Sequence, residues 1–226
     1  MNRYHMLAFI FLCHIAVAIS AQSNCVTPVK DIIDIARTAE QLAVTFYSNG
    51  YKNAAQLGLV GANLAYIAAA LEEEQLHESY WASLGGVSMA STFSFPNGSK
   101  TFSDLTTFIE TQQEIEGYFD SAYLAAVKEL SIQNQSDAAQ VAAQVAIIEG
   151  EHRVLGRVIG NLVPADNRGF SPVLVSSVSD AVTVIKNSGY LSPTVGNSYS
   201  YTKSNVTESG VKYLAPTALP CPTSSL

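Results

Sequence analysis

The chain has 226 residues, 48% of them hydrophobic and 14% charged, which is enough apolar material for one full core with some extension to spare. Its formal net charge of −7 offers no basic surface to a polyanion, so nucleic acid is excluded as a natural partner and cations suit it better.

The chain opens with Met-Asn-Arg, continues as an apolar run from Met6 to Ile19 and reaches the small-residue site Ala18-Ile19-Ser20-Ala21. This order predicts a secretory signal peptide over residues 1–20, cleaved near 20–21, and a secreted protein. The run is too short to cross a bilayer and no later stretch replaces it, so no membrane anchor is expected. Cys13 would depart with the signal, leaving Cys25 and Cys221 at opposite ends of the mature chain. In an oxidising compartment these two are expected to form a disulfide clasp, two free thiols being the alternative. Asn97, Asn134 and Asn205 each begin an Asn-x-Ser/Thr sequence and are candidate glycosylation sites.

Residues 26–163 carry four segments with apolar side chains at helical spacing, at about 28 to 49, 62 to 84, 104 to 131 and 136 to 161. The first aligns Ile33, Ala36, Glu40, Ala43 and Tyr47 on one face and is expected to stop at Asn49-Gly50. The second aligns Ile67, Leu71, Glu74, Trp81 and Leu84 and stops at Gly85-Gly86. A stretch of roughly twenty residues rich in Ser, Phe, Gly and Pro follows, long enough to cross the length of a bundle. Ser103 or Asp104 can cap the third helix, whose inner face runs Leu105, Phe108, Gln112, Glu116, Phe119 and Tyr123. The fourth shows Val141, Val145, Ile148, Glu149, His152, Leu155 and Ile159. Residues 164–226 shift to Ser, Pro and Val, with one short helix expected near Leu174 to Asn187, and should wrap the bundle as a C-terminal extension. Two helix hairpins joined by one long crossover make an all-α, ferritin-like four-helix bundle.

The second helix contains Glu74-Gln75-Leu76-His77 and the fourth Glu149-Gly150-Glu151-His152, two copies of Glu-x-x-His whose ends share a helix face. The other two helices each supply one inward glutamate, Glu40 and Glu116, followed seven residues later by Tyr47 and Tyr123. Glu40 to Glu74 spans 34 positions and Glu116 to Glu149 spans 33, so the halves repeat. The other histidines, His5 and His14, belong to the signal, so both mature histidines sit in the motif. One glutamate from each of two helices plus Glu-x-x-His from each of the others is the ligand pattern of di-iron and di-manganese carboxylate bundles.

Four carboxylates turned into a core need protons or cations to balance them, and two divalent ions would do so. Oxygen ligands with imidazole suit iron or manganese, and zinc fits the same ligands without redox chemistry. Tyr47 and Tyr123 are either core aromatics or partners that hydrogen-bond a ligand or donate an electron. Gln112 reads equally as an ordinary buried amide. Glu72, Glu73, Glu78 and Glu151 lie off the apolar stripes and read as solvated charges, one of which could support a ligand from behind.

Ala39-Glu40-Gln41-Leu42-Ala43 leading to Phe46-Tyr47, Glu74 to His77 with Leu84-Gly85-Gly86, Phe93-Ser94-Phe95-Pro96, Glu116 to Tyr123 and Ile148 to Arg153 resemble the ferritin-like superfamily. Within it they are most similar to the secreted desiccation-related and fungal stress-response branch. The resemblance spans about residues 28 to 162 and implies the bundle and its metal site. Two functions follow as expectations. One is an oxidoreductase whose dinuclear iron or manganese centre meets oxygen, peroxide or ferrous iron; the other is a non-catalytic desiccation, stress or surface-binding protein that uses the bundle as a scaffold.

Overall fold

The computed structural model describes residues 26–162, 169–208, 210 and 211. The expected signal peptide and both cysteines of the expected clasp lie outside the described residues. Four long helices form: α1 (Val29–Lys52), α3 (Ala62–Ser83), α4 (Leu105–Ile132) and α5 (Ser136–Ile159), with a single turn, α2 (Ala54–Leu57), inside the first connection. The chain is all-α in character and bundle-shaped in connectivity: α1 packs on α3, α4 packs on α5, and the crossover runs between the two hairpins. None of the described helices is long and apolar enough to cross a membrane.

The helix starts follow local chemistry. Asp104, not Ser103, caps α4, its Oδ1 accepting from Thr107 N at 2.8 Å and so satisfying a backbone donor that the helix cannot. The end of α1 differs from expectation: the helix runs through Gly50 to Lys52, and the left-handed turn falls at Gly58, with φ 69°. Gly50 is buried, and a Cβ there would lie 2.5 Å from the ring of Phe108 on α4. Its lack of a side chain serves close approach of two helices rather than a helix stop. Phe108 in turn stacks on Phe46 with ring centroids 4.5 Å apart, and both are fully buried.

The described part of the extension packs along the bundle. Leu174 and Val175 are not helical, because their backbone N–H groups donate to Ser121 Oγ on α4 at 2.7 and 3.0 Å. The short helix α6 (Val178–Asn187) therefore starts later than expected, where Ser177 accepts from Asp180 N, and it lies against α1 and α4. Strand β1 (Thr92–Phe93) of the crossover then pairs antiparallel with β2 (Tyr199–Ser200) of the extension. Asn197 reinforces the join, accepting from Phe95 N at 3.0 Å and donating to Phe95 O at 2.9 Å. Phe95 anchors an aromatic cluster with Phe46, Phe102, Tyr190 and Tyr199 that closes one end of the core.

Candidate metal centre

Helical phasing brings the six inward polar residues to one point between the four long helices. Glu40 comes from α1, Glu74 and His77 from α3, Glu116 from α4, and Glu149 and His152 from α5. All four glutamates are fully buried, His152 is 1% exposed, and the His77 side chain is 13% exposed. Their ligand atoms form two overlapping groups, each within 4.8 Å: Glu40, Glu74, His77 and Glu149, and Glu74, Glu116, Glu149 and His152.

Glu74 and Glu149 belong to both groups, and their two oxygens divide between them. His77 Nδ1 lies 3.5 Å from Glu74 Oε2 and 3.6 Å from Glu149 Oε1. His152 Nδ1 lies 2.9 Å from Glu74 Oε1 and 3.3 Å from Glu149 Oε2. Glu40 Oε2 completes the first group, 3.6 Å from His77 Nδ1, and Glu116 the second. Bridging carboxylates flanked by terminal ones are what a two-ion site requires.

The atoms facing the centre share a second property. Glu40 Oε2, both oxygens of Glu74 and Glu149, Glu116 Oε2 and the Nδ1 atoms of His77 and His152 are buried without a hydrogen-bond partner. Such atoms cost about 1–3 kcal/mol each unless something satisfies them. Their chemistry, carboxylate oxygen and imidazole nitrogen, is that of donors to a divalent cation. The residues therefore fit the ions that the sequence pattern implies, and this buried carboxylate and histidine cluster is compatible with a dinuclear metal site.

One oxygen of each of Glu40 and Glu116 is hydrogen-bonded, and that of Glu116 also lies 3.7 Å from His152 Nδ1. Tyr47 on α1 donates to Glu116 Oε1 on α4, and Tyr123 on α4 donates to Glu40 Oε1 on α1. Each tyrosine thus serves the glutamate of the other half, and each frees one oxygen of that glutamate for the centre. Trp81 Nε1 donates to the Tyr123 hydroxyl at 2.8 Å, and Gln112 Nε2 to the Tyr47 hydroxyl at 3.1 Å and to His152 O at 2.6 Å. Gly156 makes room for Gln112, since a Cβ there would overlap the amide group. Gln112 is therefore part of the site's support.

Electrostatics point the same way. Burial raises the Glu116 carboxyl well above its ordinary value, and the neighbouring Glu149 and Glu74 raise it further; Glu149 is raised by burial and by Glu74. Burial alone would lower both histidines, but the surrounding carboxylates, Glu40 and Glu74 around His77 and Glu74 and Glu149 around His152, hold both well above the usual imidazole range. Without cations the centre binds protons instead. Burial and the same carboxylates raise both tyrosines well above the ordinary phenol value, so they stay protonated as donors.

Of the four acidic residues off the apolar stripes, Glu73 takes the supporting position allowed for one of them, with Oε2 2.9 Å from His152 Nε2, and Glu78 departs from expectation. Glu78 is buried, accepting from Arg37 Nε at 2.9 Å, Gln41 Nε2 at 3.0 Å and Gln75 Nε2 at 3.2 Å. Arg37 and Gln41 lie on the α1 face that meets α3, a pairing that helical spacing alone did not register. Glu72 accepts from Glu208 N of the extension, and Glu151 is exposed as expected.

No curated protein and no solved structure matches the chain. Residues 29–159, more than half of the chain and all of its four-helix bundle, match the family described as the ferritin-like domain. The chain belongs to the ferritin-like domain family.

Proposed function

We propose that this is a secreted ferritin-like protein in which Glu40, Glu74, His77, Glu116, Glu149 and His152 hold two divalent ions, iron or manganese, and that it is an oxidoreductase acting on oxygen, peroxide or ferrous iron in a stress response. The observation that carries this reading is the set of buried, unpartnered carboxylate and imidazole atoms divided into two groups that share Glu74 and Glu149. Burying such a set without cations is costly, because several like charges would face one another in a low-dielectric core.

Each residue has a defined part. Glu74 and Glu149 present one oxygen to each position; Glu40 and Glu116 present one oxygen inward while a tyrosine holds the other. The tyrosine hydroxyls keep a proton beside the centre, and Gln112 orients Tyr47. Iron or manganese held there would supply the one-electron steps that oxygen or peroxide chemistry needs.

Secretion is supported by the leader-like residues 1–20, and glycosylation by the exposure of Asn97, Asn134 and Asn205. In the same compartment Cys25 and Cys221 would pair as a clasp. The test is consumption of hydrogen peroxide and of oxygen, followed for wild type loaded with iron or manganese, for stripped wild type, and for loaded Glu74→Ala/His77→Ala. Turnover only in loaded wild type is the expected result. Equal turnover in all three would show that the activity does not come from this centre and would overturn the reading, and none in any while the fold is intact would hand it to the non-catalytic scaffold.

A further inference from the structure

The sequence repeat makes the two halves of the centre look equivalent, yet their surroundings differ. Glu73, immediately before Glu74 on α3, reaches across to His152 Nε2 on α5 at 2.9 Å. The corresponding residue before Glu149 on α5 is Ile148, which has no carboxylate to return the contact to His77. Glu78, the acidic residue next to His77 in the chain, is committed to Arg37, Gln41 and Gln75. Among the described residues no side chain hydrogen-bonds His77 Nε2. Exposure follows the same division: the His152 side chain is 0% exposed and that of His77 13%.

We propose that the two ion positions are unequal: the Glu116–His152 position binds tightly and keeps its ion, and the Glu40–His77 position is the exchangeable one, where a divalent cation or a small oxidant such as peroxide enters from solvent. This rests on the dinuclear reading above. Glu73 is the positioning residue that makes the difference.

The physical reason lies in the imidazole. A carboxylate on the outer nitrogen fixes the ring's orientation and keeps the proton on Nε2, so the Nδ1 lone pair faces the ion and becomes more basic. His152 has this support and His77 does not. Water reaches His77, which costs that position the exclusion of competing ligands that full burial gives the other. Glu73 is partly exposed, with 30% of its side chain accessible, so its replacement disturbs no packed core.

The experiment is a titration of full-length, metal-stripped protein with cobalt(II), whose visible absorption reports each coordination event, on wild type, Glu73→Gln, Glu73→Asp, His77→Ala and His152→Ala. Circular dichroism accompanies each sample to confirm the helical fold. Two separable steps are expected in wild type. Glu73→Gln should weaken the tighter step by about 10–100-fold and shift its absorption band while leaving the weaker step in place. Glu73→Asp should recover part of the loss. His77→Ala should abolish only the weaker step and His152→Ala only the tighter one. For variants that lose their helical fold, timed removal of cobalt from loaded wild type by a chelator gives the same answer: one fast and one slow ion are expected. Two identical steps or a single release rate in wild type, an equal effect of Glu73→Gln on both steps, or loss of the tighter step in His77→Ala would overturn the inequality while leaving a dinuclear site intact. No cobalt binding at all would overturn the dinuclear reading and the inequality with it.

Discussion

At the scale of single residues, Glu74 and Glu149 do more than Glu40 and Glu116, because each of their oxygens faces a different group of ligands. Glu149→Ala should therefore empty both ion positions, whereas Glu40→Ala should weaken the His77 position and spare the other. Metal content measured by mass spectrometry on the two variants checks this, and equal losses would contradict it. The titrating groups set the pH response. The folded protein holds His77, His152, Glu116 and Glu149 above their ordinary values, so in the absence of metal it binds more protons than the unfolded chain. The stability these protons contribute is fully present below the ordinary carboxylate value of 4.5 and is lost as pH rises through the raised folded values. Stripped protein should thus melt at progressively lower temperature from pH 5 to pH 8. Metal-loaded protein should do the reverse, since cations replace the protons and bind better as they leave. Melting curves of both forms across that range decide the matter, and parallel trends would count against a shared site for protons and ions.

At the scale of elements, the helices and the convergence of the six inward residues were legible because core helices write their inner face into the sequence at fixed spacing, and two Glu-x-x-His copies in phase with single glutamates leave little freedom. What was not legible depends on contacts between elements. Gly50 looks like a helix stop from its neighbours in the chain, and only the approach of Phe108 from α4 reveals its part. The spacing does not single out Glu73 among the four acidic residues off the stripes as the one that meets a histidine, and Glu78 lies off the apolar stripe of α3, which predicts solvent. The extension lies over α3 instead, with Tyr201 and Ser204 on Gln75, and α1 brings Arg37 to Glu78. A prediction follows for Gly50→Ala. The added methyl meets a ring that is fully buried and stacked on Phe46, so it cannot swing aside cheaply. The cost should be about 1–3 kcal/mol, measured by urea denaturation, with metal content retained. A neutral substitution would mean that α1 and α4 are less closely packed than the structure has them.

At the scale of the whole molecule, two hairpins hold the carboxylate-lined centre, and the described part of the extension ties the crossover down, with no residue of it among the groups that could hold an ion. Asn197→Ala should expose this division of labour. It leaves the Phe95 backbone N–H and C=O without their partners, at a cost of about 1–3 kcal/mol in denaturation, yet the six inward residues and their metal should be unaffected. The central claim is that the centre holds two ions through these six residues. The most direct measurement is elemental analysis of the full-length protein, purified without chelators, beside Glu74→Ala/His77→Ala. The account predicts about two iron or manganese ions per chain in wild type and almost none in the double variant. A well-folded wild type that carries little metal, and takes up little on reconstitution, would contradict it.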